Sequence, residues 1–278
     1  MADHFPPNIN MEVPSAARMY DYLLGGKDNF EVDRKACDVL LERVPEILPL
    51  ANDNRAYLAR AAEYAAAQGL EQFLDLGAGL PTANNTHHAA QRANPRARVV
   101  YVDNDPIVLA HGRALITNSG ETAFLLADLR DTEEIFSAPE TRRLIDRDMP
   151  TALMLVALLH CLPDSDDPFG LVRPIIDSLP SGSCLIYSHM VSDDPATREW
   201  VTDRVLSYGT PWGRVRSPEE AAVIFEGLDL VSPWNDGRDE GPRLVDCATW
   251  RHPDRNPAVR PADPNVKLWE MAGVAFKP

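Results

Sequence analysis

The feature that most constrains the fold is a short glycine turn that follows an apolar segment. Residues 72–76 read QFLDL, and they run directly into the turn Gly77-Ala78-Gly79. A glycine turn between a first strand and a helix lets a ligand approach the backbone closely, beside the N-terminus of that helix. The turn therefore predicts an α/β fold that binds a ligand at the carboxyl end of its first strand.

Apolar runs alternate with helical patterns along the rest of the chain. Near-continuous apolar runs are typical of parallel strands that are buried on both faces. These runs predict strands over 72–76, 98–102, 123–126, 151–158, 183–187, 228–231 and 272–276. The helical patterns predict helices over 15–24, 32–44, 52–68, 83–93, 106–117, 168–179 and 218–226. The stretch 232–268 shows little periodicity and is predicted to be a long loop. We therefore expect a Rossmann-like, seven-stranded, mostly parallel sheet with helices on both faces.

Composition narrows the class of partner. The chain has 27 Lys and Arg against 42 Asp and Glu, a net charge of −15, and this charge repels phosphate backbones and disfavours nucleic acid. No basic N-terminal segment precedes an apolar run, and no apolar run reaches 18 residues. We therefore expect neither a secretory signal nor a membrane span, and a cytoplasmic location.

The four cysteines are widely spaced and are interpreted as reduced thiols. His87 and His88 are neighbours on a predicted helix and point about 100° apart, so no metal site is predicted.

Acidic residues end three successive predicted strands. Asp75 lies two positions before the first glycine of the turn, Asp103 lies 24 residues after its second glycine, and Asp128 ends the third strand. A carboxylate at the interval of Asp103 accepts the ribose hydroxyls of an adenosine ligand, and Asp128 would meet an adenine amino group. Each acid alone has a structural alternative: Asp75 and Asp103 as turn or cap residues, and Asp128 as an ion-pair partner of Arg130.

The residues of the turn favour one ligand over another. A carboxylate at Asp75 repels a diphosphate and attracts an ammonium or sulfonium group. Pro81 stands near the place of the third glycine of the dinucleotide fingerprint and has no N–H to offer a phosphate. Gly77 and Gly79 allow the close backbone approach. The turn therefore favours S-adenosylmethionine over NAD, and a nucleotide-dependent oxidoreductase is disfavoured.

Five segments carry a resemblance to a known family: residues 15–30, 73–82, 99–106, 127–130 and 158–164. Through them the chain resembles class I S-adenosylmethionine-dependent methyltransferases. More narrowly, it is similar to the actinobacterial S-adenosyl methyltransferase family, formerly a domain of unknown function. The segment 15–30 and the turn 79–82 are specific to the narrow family. The resemblance implies methyl transfer from S-adenosyl-L-methionine and names no general acceptor.

The resemblance also implies a division of the chain. Residues 1–68 are expected to form a tail and a helical cap that folds over the cofactor, and residues 69–278 the S-adenosylmethionine-binding domain. Tyr22 of the cap and Arg55 are expected to contact the cofactor, with a surface hairpin and a solvated arginine as the alternatives. Asn104 and Leu129 lie in matching segments and are expected to complete the cofactor site.

His160 follows the fourth predicted strand, whose end faces the transferring methyl group in this fold. His160 is therefore a candidate general base, and Asp164 is a second candidate. The alternative is that His160 only shapes the pocket, because many methyltransferases work by alignment alone. The function expected is methyl transfer to a small-molecule acceptor. A non-catalytic regulatory protein that binds S-adenosylmethionine is the alternative.

Overall fold

A mixed sheet with helices on both faces forms the frame of the molecule. The computed structural model describes residues 10–82, 84–115, 120–238 and 240–278. The helices are α1 (Ala16–Leu23), α2 (Glu31–Arg43), α3 (Ile47–Ala67), α4 (Thr86–Ala93), α5 (Pro106–Leu115), α6 (Thr132–Ser137), α7 (Pro139–Leu144), α8 (Pro168–Ser178), α9 (Pro195–Leu206) and α10 (Pro218–Ala222). The strands are β1 (Gln72–Leu76), β2 (Arg98–Asp103), β3 (Thr122–Leu126), β4 (Ala152–Val156), β5 (Cys184–Val191), β6 (Asp229–Leu230), β7 (Val245–Asp246) and β8 (Trp269–Phe276). Short 3₁₀ turns lie at Leu159–Cys161, Asp164–Asp166 and Val223–Phe225.

The strands follow the order β3-β2-β1-β4-β5-β8-β6, and β7 also pairs with β8. The first five strands are parallel, whereas β8 runs antiparallel to β5, β6 and β7. The prediction of a Rossmann-like, mostly parallel sheet is confirmed. The expected number of strands was wrong, because the described residues form eight. The additional strand, β7, lies inside the predicted loop 232–268, and a strand of two residues is too short to leave a periodic pattern.

Alternate strand residues face two apolar layers, one on each side of the sheet. Phe73, Val99 and Met154 pack in the layer that contains α3 and α4. The opposite layer contains α8. The fully buried hydroxyl of Tyr57 on α3 donates to the carbonyl oxygens of Tyr187 and Gly273, at 3.0 and 2.7 Å. Helix α3 therefore shares the core of the predicted domain 69–278, and the division of the chain at residue 68 stays a prediction.

Several helix bounds differ from the sequence pattern. Helix α3 begins at Ile47, five residues before the predicted start at 52, and Pro49 lies in its first turn, where an amide proton is not needed. The predicted helix over 106–117 is described as far as Leu115, and its last two residues lie outside the described residues. Helices α6, α7 and α9 were not predicted. None of the helices among the described residues has both the length and the apolar character needed to cross a bilayer.

Candidate cofactor and acceptor site

The carboxyl ends of β1, β2, β4 and β5 open onto one cavity of 620 Å³, which α1, α2 and α3 also line. Parallel strands present their carboxyl ends at one edge, where ligands of open α/β sheets bind. The cavity brings together most of the predicted site residues: Arg55, Asp75, Gly77, Gly79, Asp103, Asn104, Asp128, Leu129 and His160. Tyr22 and Asp164 do not line it.

The glycine turn has the conformation that its sequence predicts. Gly77 and Gly79 have φ angles of +70° and +66°, in the left-handed region that glycine adopts without strain. The amides of Gly77 and Ala78 donate to the Val102 carbonyl oxygen at 2.8 and 3.1 Å, which fixes the turn against β2. A Cβ atom on Gly79 would meet no heavy atom within 4 Å, so its backbone is open to a ligand in the cavity.

Asp103 holds the glycine turn and keeps capacity for a ligand. Its Oδ2 atom accepts the Gly79 amide and its Oδ1 atom accepts the Asp105 amide, both at 2.9 Å. Each carboxylate oxygen has a second lone pair, so two ribose hydroxyls can still be bound. Burial raises the pKa of Asp103 to about 6 despite these hydrogen bonds. A ligand that donates to this carboxylate would favour its ionised form.

Asp75 and Arg55 lie on either side of the start of α4. Asp75 is buried and accepts the Thr86 hydroxyl at 2.6 Å. Burial raises the pKa of Asp75 to about 6, because the Thr86 hydrogen bond and the charge of Arg55 offset only part of the desolvation. The Arg55 guanidinium donates to Thr82 Oγ1 at 2.9 Å and to Asn85 Oδ1 at 3.1 Å. The site therefore offers both a carboxylate and a guanidinium to a zwitterionic ligand group.

Asp128 belongs to the cavity wall and also to an ion pair. Arg130 Nη1 lies 2.8 Å from its Oδ2 atom, and Asn104 Nδ2 donates to the same oxygen at 3.1 Å. Burial opposes ionisation, but the hydrogen bonds from Arg130 and Asn104 hold the pKa of Asp128 below its usual range. The ion pair considered from the sequence is therefore present. The buried side chain of Leu129 adds an apolar surface next to this pair.

His160 is brought to the cavity by a sharp bend after β4. The strand ends at Val156, two residues earlier than predicted, and Ala157 has a φ angle of +53°. His160 is 3% exposed, and its Nδ1 atom accepts the Met190 amide at 3.2 Å. Burial and the nearby Arg216 charge lower the pKa of His160 to about 3. The imidazole is therefore neutral with its proton on Nε2, and its lone pair is already used, which argues against the predicted role of general base.

Two predicted site residues lie elsewhere. Asp164 pairs with Arg214 and Arg216, each at 2.6 Å, and this ion pairing outside the cavity argues against its predicted role as a base. The Tyr22 hydroxyl donates to Asp38 Oδ1 at 2.9 Å on an exposed surface, so Tyr22 is not at the cofactor site. Tyrosines two positions apart on a helix point to different sides, and Tyr20 is the one that lines the cavity.

A hydrogen-bond network fixes α1 over the cavity, and the sequence did not reveal it. The Tyr20 hydroxyl donates to the Ala51 carbonyl oxygen at 3.0 Å and accepts the Asn54 side-chain amide at 3.1 Å. Asn54 Oδ1 in turn accepts the Ser188 hydroxyl at 2.7 Å. The dense polar block at 15–30 was a signal that this segment is special, but these partners lie 31 or more residues away and sequence spacing does not identify them.

The part of the cavity beyond His160 is apolar. It includes the side chains of Met19, Leu23, Leu50, Met190, Val201 and Trp212. One acidic side chain, Glu270, also lines the cavity. The sequence signal for Glu270 is a single acid inside the apolar segment 268–276, and it was missed. Among the described residues, no group of three or more His, Cys, Asp or Glu side chains is arranged to hold a metal ion.

The comparisons with known proteins agree with this geometry. The family model of the S-adenosyl methyltransferases matches residues 2–278. A candidate methyltransferase from Thermobifida fusca YX has 40% sequence identity and a TM-score of 0.82, covering 99% of each chain. A DUF574 family protein from Streptomyces avermitilis MA-4680 has 36% identity and a TM-score of 0.81, covering 96% of this chain and 99% of its own. No curated protein sequence matches the chain significantly.

The residues that line the cavity fit the cofactor that the family uses, because they offer carboxylates, which attract cationic groups and accept hydroxyl protons. The protein is a methyltransferase with S-adenosyl-L-methionine as its cofactor. On a match over nearly its whole length, the chain belongs to the S-adenosyl methyltransferase family.

Proposed function

We propose that the protein transfers a methyl group to a small, largely apolar acceptor bound in the apolar part of the cavity. The observation that carries the proposal is the continuity of one 620 Å³ cavity from the strand-end acids to the apolar walls under α1. A cavity of this size suits small ligands. When bound, S-adenosylmethionine supplies a methyl group on a cationic sulfur.

The residues of the glycine turn would hold the methionine end and the ribose. Asp75 would attract the ammonium group and Arg55 the carboxylate, since both side chains line the cavity. Gly77 and Gly79 would let the ligand approach the backbone. Asp103 would accept the ribose hydroxyls through the lone pairs that the Gly79 and Asp105 amides leave free.

The adenine would lie beyond the ribose, at the end of β3. Asp128 would accept its amino group, and the Asn104 side chain holds that carboxylate in place. Leu129 would supply apolar surface to the ring. With the adenosine held there, His160 and the apolar walls would line the part of the cavity that is left for the acceptor.

In this proposal His160 positions the acceptor and does not remove a proton. Its neutral ring presents the Nε2 proton, so it can donate to an acceptor oxygen or nitrogen. Holding two reactants in line supplies much of the barrier lowering in such a displacement, on the order of 7 kcal/mol or more. The apolar walls and the covering helices would provide that alignment and exclude water.

The proposal is tested with methyl-labelled S-adenosylmethionine and a cell extract that contains both metabolites and macromolecules. We expect the label to appear in the small-molecule fraction, and Asp103→Ala to reduce that labelling strongly. Label in protein or nucleic acid would contradict a small acceptor.

Binding of S-adenosylhomocysteine is measured in the same preparation as the control for a folded cofactor site. If the cofactor product binds and yet no fraction of any extract is labelled, the non-catalytic alternative replaces the proposal. NAD serves as the negative control, since the turn with Pro81 offers it no phosphate site.

A further inference from the structure

Glu270 is a buried acid that no part of the fold uses. The residue is 1% exposed, and neither of its carboxylate oxygens has a hydrogen-bond partner among the described residues. The Ser188 hydroxyl lies nearby, but its one proton goes to Asn54 Oδ1 at 2.7 Å and its oxygen accepts the Ala157 amide at 3.0 Å. A buried carboxyl without a partner is costly, and natural proteins keep such groups at functional positions.

The position of Glu270 separates it from the cofactor residues. Glu270 is paired with Met190 across β5 and β8, and directly paired residues of antiparallel strands share a face of the sheet. Both side chains line the cavity. Strand β8 lies three strands away from β1, about 14 Å at the usual spacing of ~4.8 Å per strand. Glu270 therefore lies on the side of the apolar walls and away from Asp75.

The charges around the cavity favour a cationic occupant. Five acids line it against three arginines. Arg18 is paired with Asp33 and Arg130 with Asp128, so most of the positive charge is already compensated. The titratable groups that act on Glu270 are Tyr20, Cys161, Tyr187, Asp246 and Cys247, and none of them is a cation. An anionic ligand beside Glu270 would be repelled by its ionised carboxylate.

We propose that Glu270 binds the ammonium group of an amine-bearing methyl acceptor, whose apolar remainder lies against the walls around Met190 and Trp212. The proposal rests on the proposed function and adds to it the chemical class of the acceptor. A cation beside Glu270 would supply the missing partner and restore the ionised carboxylate. The Trp212 ring, whose centroid lies 5.1 Å from that of His160, supplies an aromatic wall for this apolar remainder.

The test uses the full chain saturated with S-adenosylhomocysteine. Matched sets of three probes are titrated into it, and calorimetry measures the affinity of each probe. Each set shares one apolar skeleton, for example 2-phenylethylamine, 2-phenylethanol and phenylacetate. For the skeleton that binds best, we expect the amine to bind more tightly than the alcohol and the carboxylate. Glu270→Gln should weaken binding of that amine about tenfold or more. The exposed Glu199→Gln on α9 changes the net charge equally and is expected to leave amine binding unchanged.

Two further results separate the possible failures. If Glu270 serves a ligand, Glu270→Gln keeps or raises the melting temperature, whereas a glutamate that holds the fold together would lower it. If no amine in the panel binds better than its alcohol, or if the preference survives Glu270→Gln, the assignment is overturned while methyl labelling of a small molecule still stands. Failure of S-adenosylhomocysteine to bind the wild-type protein would instead overturn the proposed function.

Discussion

Asp75 is buried and Asp103 is half-buried beside the glycine turn, and their desolvation links cofactor binding to pH. Both carboxyls have a pKa raised to about 6. The unfolded chain releases these protons near pH 4, so in the free protein the two acids cost stability as pH rises from about 4 to about 6. The same shift means that the charged form needed by a cationic ligand is present mainly above pH 6.

We therefore expect S-adenosylhomocysteine to bind more tightly as pH rises from 5 to 7, with little change above 7. One protonated carboxyl at pH 5 would reduce the affinity by about tenfold. Calorimetry across this range measures the effect, and Asp75→Asn should both weaken binding and flatten the profile. A flat profile in the wild-type protein would show that neither acid ionises for the ligand.

Asp103→Ala is expected to weaken S-adenosylhomocysteine binding by about 1–3 kcal/mol, because charge-assisted hydrogen bonds to the ribose are lost. The same change also frees the Gly79 amide, so Asp103→Asn is the milder comparison, since it keeps one acceptor oxygen. Asp203→Asn on the exposed side of α9 is the matched control. Unchanged affinity in a folded Asp103→Ala protein would remove the ribose assignment.

Asp75, Asp103 and Asp128, the acids predicted from strand ends, all line the cavity. Asp75 and Asp103 were found because a glycine turn and a fixed interval mark their positions. Tyr22 and Asp164 do not line the cavity, because Tyr22 points to another side of its helix and Asp164 is held by Arg214 and Arg216. Glu270 reaches the cavity from a strand that lies 195 residues after Asp75 in the sequence. Local sequence patterns do not show that two such distant segments meet in the fold.

Helices α1 and α2 form a covering unit that depends on one buried carboxylate. Asp33 accepts the Ser15 amide at 3.0 Å, the Arg18 guanidinium at 2.8 Å and the Phe30 amide at 2.8 Å. The Ser15 hydroxyl donates to Asp105 Oδ2 at 2.7 Å, so this unit is also tied to the end of β2. The helices that cover the cavity are therefore also held at the end of β2.

Asp33→Ala is expected to lower the free energy of unfolding by roughly 3–5 kcal/mol, because Arg18 would stay buried without its partner. Denaturant unfolding measures the change. The double variant Arg18→Met with Asp33→Ala removes both partners of the ion pair and should recover part of the lost free energy of unfolding. Lys35→Ala breaks the exposed Lys35–Glu31 pair on the same helix and should leave the free energy of unfolding almost unchanged. Equal effects of Asp33→Ala and Lys35→Ala would contradict the role of Asp33.

Elements with strong apolar runs were predicted correctly, and the errors follow a physical pattern. The central strands are buried on both faces, so their runs are unmistakable. Strand β7 has two residues and exists only because β8 offers it backbone partners, through the pairing of Val245 with Ala272. Helix α9 has no clear apolar face and buries only Val201 and Val205 within its span, so a periodic pattern could not reveal it.

In the folded molecule, the boundary predicted at residue 68 separates segments that share a core. Helix α3 lies before that boundary, yet it packs under the sheet and its Tyr57 hydroxyl bridges β5 and β8. Helices α1 and α2 pack in a separate apolar cluster, which also includes the first residues of α3 (Ile47, Leu50 and Ala51) and part of α9. Contacts of this kind predict that α3 unfolds with the sheet and that the covering unit can open separately.

Hydrogen exchange in the native state tests this arrangement. We expect the amides of α3 to exchange only through global unfolding, as those of β1 and β4 do, and the amides of α1 and α2 to exchange through a smaller opening. S-adenosylhomocysteine at about a hundred times its Kd should add about 2.7 kcal/mol of stability and raise the melting temperature by roughly 5–10 °C. Because the covering unit lines the occupied cavity, its amides should exchange more slowly as the concentration of S-adenosylhomocysteine rises. If the amides of α3 instead exchanged through the same opening as those of α1 and α2, the three helices would form one cap. The sheet would then be stable without the unit that closes the cavity.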